Sequence, residues 1–151
     1  MKKARLILVG NGMAGVRTVE EILELAPDHY DITVYGAEPH GNYNRILLSP
    51  VLAGEMKLPE ITLNDLDWYR ERGITLHSGR RIVRIDRVRR TVIADDGSEQ
   101  GYDRLLLATG STPVILPIPG HDLSGVLAYR DIADTEAMIA ACARGGHAVV
   151  I

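Results

Sequence analysis

The sequence predicts an α/β fold, with a central parallel β-sheet, covering helices and an inserted antiparallel β-meander. Three observations predict it. The chain opens with an apolar run that passes into Gly10-Asn11-Gly12-Met13-Ala14-Gly15 and then into a helical pattern. Its middle changes to a period of two, in Val83 to Asp86 and in Arg90 to Ala94. A second apolar run, Leu105-Leu106-Leu107, ends in the small residues Ala108-Thr109-Gly110. Parallel strands buried on both faces read as continuous apolar runs, whereas antiparallel strands with one wet face alternate.

Taken in order, Leu6-Ile7-Leu8-Val9 is the first buried strand. The G-x-G-x-x-G after it stands between strand and helix, the arrangement a dinucleotide requires. Gly10 permits the tight turn, Gly12 lets the backbone approach a pyrophosphate, and Gly15 lets helix and strand pack closely. Free N–H groups at the start of the helix, around Met13 and Ala14, face the phosphates. Val16, Val19 and Leu23 line one helical face while Arg17, Glu20, Glu21 and Glu24 lie elsewhere, and Pro27 follows the helix. Glycines also occur in plain turns, so the flanking elements carry the assignment. Ile32-Thr33-Val34-Tyr35 is a second strand that ends at Gly36-Ala37-Glu38. Glu38 stands about 20 residues beyond Gly15, where this motif places the carboxylate that accepts hydrogen bonds from a ribose diol. An acidic residue there argues against a 2′-phosphate.

From Pro39 to Gly54 turn formers give way to apolar residues, and Ile46, Leu47, Val51 and Leu52 form either a short helix or a covering loop. Met56 to Glu60 reads as irregular. Asn64 or Thr62 caps a helix that runs to about Arg72 and is ended by Gly73. Its Trp68-Tyr69 pair reads as core packing. Ile74-Thr75-Leu76, Val83 to Asp86 and Arg90 to Ala94 form the meander, and Asp96-Gly97 is a further turn. Arg80, Arg81, Arg84, Arg87, Arg89 and Arg90 alternate with apolar residues and lack interleaved aromatics, so they read as a solvated sheet face rather than an RNA or phosphate patch. Tyr102 to Gly110 is a buried strand whose small end residues let the backbone approach a ligand, at the edge where open α/β sheets bind. Pro113, Pro117, Pro119 and Gly120 make an extended connector. Asp131 to Arg144 reads as a helix stopped by Gly145-Gly146, and Ala148 to Ile151 as a strand.

At 151 residues, 46% hydrophobic, the chain is long enough for one main domain with a buried core. A net charge of −3 and a pI near 5.9 provide no long-range attraction for nucleic acid or anionic membrane. The apolar runs fall short of the ~20 residues that span a bilayer. The N-terminus leads into a strand without a signal-peptide pattern, so the expected location is cytoplasmic. Cys142 has no partner for an internal disulfide and reads as a small core residue of the last helix. No catalytic nucleophile, acid–base pair or metal-ligand set stands out.

Together, VGNGMAG and YDRLLLATGSTP resemble the N-terminal FAD domain of the two-dinucleotide-binding flavoprotein oxidoreductases of the pyridine nucleotide-disulfide reductase type. The segment GAEPHGNYNRILLSPVLAGE is similar to the large subunits of NAD(P)H-dependent assimilatory nitrite reductases, and less closely to rubredoxin and ferredoxin reductases. The resemblance implies a Rossmann-like FAD-binding domain over residues 1–130 and the start of a truncated NAD(P)H-binding domain over 131–151. It implies that the backbone around Gly12, Met13 and Ala14 holds the FAD pyrophosphate and that Glu38 holds the adenosine ribose. Arg45 is then expected near the phosphates or flavin, the Val83 backbone at the adenine, Thr109 and Gly110 close to the cofactor, and Arg130 at the isoalloxazine. Two departures narrow the chemistry. Disulfide reductases of this type carry a C-x₄-C pair where this chain has Asn42, Tyr43 and Asn44, which excludes thiol chemistry on the flavin. Ferredoxin reductases carry a lysine where Pro50 stands.

The function the resemblance implies is transfer of hydride from NAD(P)H to FAD and of electrons onward, with siroheme and a 4Fe-4S cluster only where a C-terminal part of the nitrite reductase type follows. The alternatives are a flavoprotein reductase serving a separate rubredoxin-like or ferredoxin-like carrier, and a nucleotide-binding module without turnover. Neither nucleic acid nor membrane is an expected partner. The apolar strand at Ala148–Ile151, with no covering helix after it, reads as the mark of a fragment. In the family a later Gly-Asp segment holds the flavin side. The expectation is therefore a formed adenosine half, an open flavin half, weak or absent FAD, no NAD(P)H oxidation by these residues alone, and self-association through the truncated surface.

Overall fold

Every second residue of the first strand faces the same way, and from Leu6 onward both sets are apolar. In β1 (Ala4–Val9), Leu6 and Leu8 enter one core while Ile7 and Val9 enter another. A strand buried on both faces needs cover on both, and the rest of this unit supplies it. The computed structural model describes residues 3–151, so Met1 and Lys2 of the expected 1–130 domain lie outside the described residues.

The chain continues through α1 (Met13–Leu25), β2 (Tyr30–Gly36) and β3 (Asn42–Tyr43). A 3-10 turn at Arg45–Leu47 leads into α2 (Leu48–Leu52), followed by α3 (Leu58–Ile61), β4 (Thr62–Asn64) and α4 (Leu66–Glu71). Then come β5 (Thr75–Ser78), β6 (Ile82–Asp86), β7 (Thr91–Ala94), β8 (Glu99–Gly101), β9 (Arg104–Leu107) and α5 (Ile132–Ala143). They divide into two compact units, one of Met1–Tyr43 and Thr62–Gly110, the other of Asn44–Ile61 and Ser111–Ile151.

In the first unit a parallel sheet has the order β5-β2-β1-β9. Ile7 of β1 stands opposite Thr33 of β2 on one side and Leu105 of β9 on the other. β2 and β5 lie to one side of β1 and β9 to the other, so the strand order reverses beside β1. That is the position at which open α/β sheets leave a crevice beyond their carboxyl ends. Leu6 and Leu8 pack with Val19 of α1, Ile32, Val34, Tyr69 of α4 and Ile74. Ile7 and Val9 pack with Tyr35, Tyr102, and Val92 and Ala94 of β7, so the antiparallel β6-β7-β8 meander covers the opposite face. Burying each such aliphatic side chain contributes about 1.5–3 kcal/mol, which explains why the apolar runs dominate the reading of this unit.

Several expectations are corrected. Ile74-Thr75-Leu76 does not begin the meander: β5 pairs in parallel with β2, and the meander runs from Ile82 to Gly101 with β8 as its third strand. Periodicity reports which faces are buried, not which neighbour a strand pairs with. Thr62–Asn64 is a strand paired with β3, so α4 begins later, with the Asp65 carboxylate accepting from the Trp68 N–H at 2.9 Å. Leu58–Ile61 forms a helical turn where the sequence reads as irregular. β9, the end strand of the sheet, is half-buried rather than buried, with Leu107 56% exposed. Tyr69 is a core residue as expected, at 1% exposure. The meander arginines are exposed and solvated, with Arg80 paired to Asp96 and Arg89 to Glu99.

In the second unit α2 packs on α5, burying Leu48, Val51, Ile132 and Thr135. Asp131 caps α5 by accepting from the Asp134 N–H at 2.9 Å, as an aspartate before an apolar run predicts. Cys142 is exposed, not a core residue, because α2 meets α5 at the other end, around Ile132 and Thr135. Residues Ala148–Ile151 are not a strand, and Val150 is 96% exposed. An apolar pattern becomes a strand only beside another that takes its hydrogen bonds, and among the described residues none does.

Candidate functional site

The three glycines of the first loop are glycine for different reasons. Gly10 has φ +110°, and a Cβ there would stand 2.1 Å from the Ala108 carbonyl oxygen. A Cβ on Gly15 would stand 3.0 Å from the Ala108 Cβ, from the Gly10 oxygen and from Leu8 Cδ1. Both positions are constrained by the chain itself. Gly12 is not: its φ of −87° suits any residue, and among the described residues nothing lies within 4 Å of its would-be Cβ. The space in front of Gly12 is thus open at the N-terminus of α1.

That helix start carries no side-chain cap and no acidic residue in its first turn. Its N–H groups at Met13, Ala14 and Gly15 and the positive end of its dipole therefore face outward, the arrangement that receives anions. The loop itself is anchored: the Gly10 N–H donates to the Tyr35 carbonyl at 2.8 Å, and the Ala108 N–H to the Val9 carbonyl at 2.8 Å.

Glu38 follows β2 and is half-buried, and its Oε2 accepts from the Tyr43 hydroxyl at 2.7 Å. The Gly79 N–H donates to the Glu38 carbonyl at 3.0 Å and the Arg80 N–H to the Gly36 carbonyl at 2.8 Å, which ties the lead-in to β6 to this loop. Val83 lies in β6 at an irregularity: Ile82 stands opposite Ala94 and Arg84 opposite Ile93, so Val83 is taken out of the ladder. Its side chain is 60% exposed. Thr109 and Gly110 follow β9 and are exposed, Gly110 with φ +73°. The first unit therefore brings Gly10 to Gly15, Glu38, Thr109 and Gly110 to the carboxyl ends of β1, β2 and β9. Arg45 and Arg130 belong to the second unit, where Arg45 Nη1 donates to the Arg130 carbonyl at 2.6 Å and the Arg130 N–H donates to Asp134 at 2.7 Å.

Sequence reasoning missed the groups behind the site. Tyr69, read as packing, donates its hydroxyl to Asn11 Oδ1 at 2.7 Å, and Asn11 Nδ2 donates to the His40 carbonyl at 3.2 Å. Burial pushes the Tyr69 hydroxyl up to about 12. Nearby, Asn42 donates to Asn64 at 3.0 Å and Asn64 to Glu20 at 3.1 Å. The available signal was Asn11 itself, a polar residue at a variable position of the motif. Among the described residues no cluster of His, Cys, Asp and Glu is arranged for a metal ion, and no helix is long and apolar enough to cross a membrane.

Residues 4–151 match the sequence pattern of the pyridine nucleotide-disulphide oxidoreductases. A nitrite reductase [NAD(P)H] of Bacillus subtilis (strain 168) is 56% identical over 151 residues, all of this chain and 19% of that protein. An assimilatory nitrate reductase electron transfer subunit of the same organism is 52% identical over 139 residues, 92% of this chain and 18% of that protein. The chain thus spans about a fifth of the length of these relatives. Among solved structures, the putidaredoxin reductase in its covalent complex with putidaredoxin matches with a TM-score of 0.80 at 30% identity, covering 93% of this chain and 34% of that one.

Proposed function

The chain belongs to the pyridine nucleotide-disulphide oxidoreductase family, and from that premise we propose that it is the FAD-binding part of an NAD(P)H-dependent flavoprotein oxidoreductase of the nitrite reductase large-subunit type. The observation that carries the proposal is Gly12: among the described residues no contact requires glycine there, yet it keeps open the space before an uncapped helix N-terminus. A diphosphate fits that space, since backbone N–H groups and the helix dipole favour its charge. A carboxylate at the end of the adjacent strand fits the ribose diol of the same nucleotide.

In this reading the N–H groups of Met13, Ala14 and Gly15 bind the pyrophosphate, and Glu38 accepts from the ribose hydroxyls while Tyr43 orients its carboxylate. Val83 offers backbone groups to the adenine, Thr109 and Gly110 leave room for the cofactor, and Arg45 and Arg130 act on the phosphate and flavin side. Bound FAD supplies hydride acceptance and onward electron transfer, while the chain supplies position and electrostatics. Residues 1–130 are the FAD domain and 131–151 the first elements of an NAD(P)H-binding domain. Nitrite as the final acceptor rests on the 56% identical relative, and siroheme with a 4Fe-4S cluster enters only where a C-terminal part of the nitrite reductase type follows. A cytoplasmic location rests on the use of NAD(P)H that this reading assigns to the protein. Self-association rests on exposed apolar residues of the second unit such as Val114 and Leu123.

The second reading is a reductase for a separate small electron carrier, which the solved reductase–putidaredoxin complex favours. An absorbance spectrum and mass analysis of the purified protein test the main proposal. Bound FAD that NAD(P)H reduces is the result expected where the rest of a nitrite reductase large subunit accompanies these residues; residues 1–151 alone should hold FAD weakly or not at all and oxidise no NAD(P)H. Absence of flavin even in that longer protein, with tight binding of ADP or NAD, would instead identify a nucleotide-binding module without turnover.

A further inference from the structure

Two loops must stand at one fixed separation if a single nucleotide is to bridge them: the glycine loop after β1 and the loop after β2 that carries Glu38. The Asn11 side chain occupies the gap between them. It lies over Gly36, where a Cβ would stand 2.8 Å from the Asn11 Cβ, so only a residue without a side chain fits beneath it. Its Nδ2 donates to the His40 carbonyl in the second loop. A backbone carbonyl only accepts, so this contact sets which way the amide points, and Oδ1 is left to accept from the Tyr69 hydroxyl. Tyr69 comes from α4, is 1% exposed, and belongs to the same buried core cluster as Leu8, Val34 and Ile74.

We infer that Asn11 and Tyr69 are positioning residues that staple the pyrophosphate-binding loop to the ribose-binding loop, setting their separation for a ligand that contains both groups. The inference rests on the reading of the site as a dinucleotide site. Neither residue touches the ligand in this account. A preorganised pair of loops spares the ligand the cost of ordering them, and that gain exists only for a ligand that engages both at once. ADP and FAD are such ligands, whereas adenosine engages only the carboxylate side and inorganic pyrophosphate only the helix start.

The test compares the three probes ADP, adenosine and pyrophosphate on the flavin-free protein, by calorimetry and by NMR titration for the weak ligands. The variants are Tyr69→Phe, which keeps the ring, Asn11→Ala at the other end of the same bond, and the two combined. Tyr69→Phe should weaken ADP about tenfold, the loss expected for one buried hydrogen bond, and Asn11→Ala by at least as much, because it also removes the bond to the His40 carbonyl. Adenosine and pyrophosphate should change less than about twofold, and the double variant should be little worse than Asn11→Ala alone, because that change already removes both bonds of the staple. Equal losses for ADP and adenosine would overturn the staple in favour of a general loss of local structure. Unchanged ADP affinity in both single variants would overturn it as well. Failure of the unaltered protein to bind ADP would remove the dinucleotide reading itself, and the staple with it.

Discussion

Gly10 and Ala108 are packed so closely that a Cβ on the first would stand 2.1 Å from the carbonyl oxygen of the second. The ends of β1 and β9 therefore meet at a point only glycine allows, and the left-handed φ of +110° at Gly10 adds a second reason. Gly10→Ala should lower the unfolding free energy by on the order of 3 kcal/mol, read from urea denaturation, through backbone strain and displacement of β9.

Gly12→Ala should behave in the opposite way. Its backbone angles suit alanine and its surroundings are empty, so stability should change by less than about 1 kcal/mol. Nucleotide affinity should nonetheless fall by about tenfold or more, since the new methyl enters the space of the diphosphate. A loss of stability matching that of Gly10→Ala, with affinity intact, would contradict the distinction between the two glycines.

Glu38→Ala should weaken FAD or ADP by about 1–3 kcal/mol, the value of a charge-assisted hydrogen-bond pair removed from a half-buried site. Tyr43→Phe should produce a smaller loss at the same site, because the Tyr43 hydroxyl, 2.7 Å from Glu38 Oε2, orients the carboxylate without itself binding the ribose. Calorimetric dissociation constants identical to those of the unaltered protein would count against the ribose role.

The buried Tyr69 hydroxyl predicts a pH dependence. Burial raises it to about 12 in the folded protein, against about 10 in an unfolded chain. Below pH 10 it is protonated in both states and its contribution is fully present. Between about 10 and about 12 the unfolded chain ionises first, so unfolding releases a proton and stability falls as pH rises. The difference in unfolding free energy between the unaltered protein and Tyr69→Phe should therefore be flat from pH 7 to 10 and change only above it. A difference that is flat to pH 12 would place the hydroxyl in water.

The sequence by itself determined the parts whose cause is local. Leu6 to Val9, Gly10 to Gly15 and Glu38 declare a strand, a turn, a helix start and a strand end, because apolar runs, glycine and spacing act through the nearest few residues. The helix from Asp131 to Arg144, stopped by Gly145-Gly146, was legible for the same reason. Tertiary structure alone decided the partners. It assigned Thr75–Ser78 to the parallel sheet, since Val34 of β2 lies opposite Leu76, a pairing no periodicity encodes. Cys142 and Val150 show the converse: an apolar residue is a candidate for burial, and whether anything covers it depends on elements distant in sequence. The bond from Tyr69 to Asn11 joins residues 58 positions apart, and only the folded chain, by removing that hydroxyl from water, made it seek a partner there.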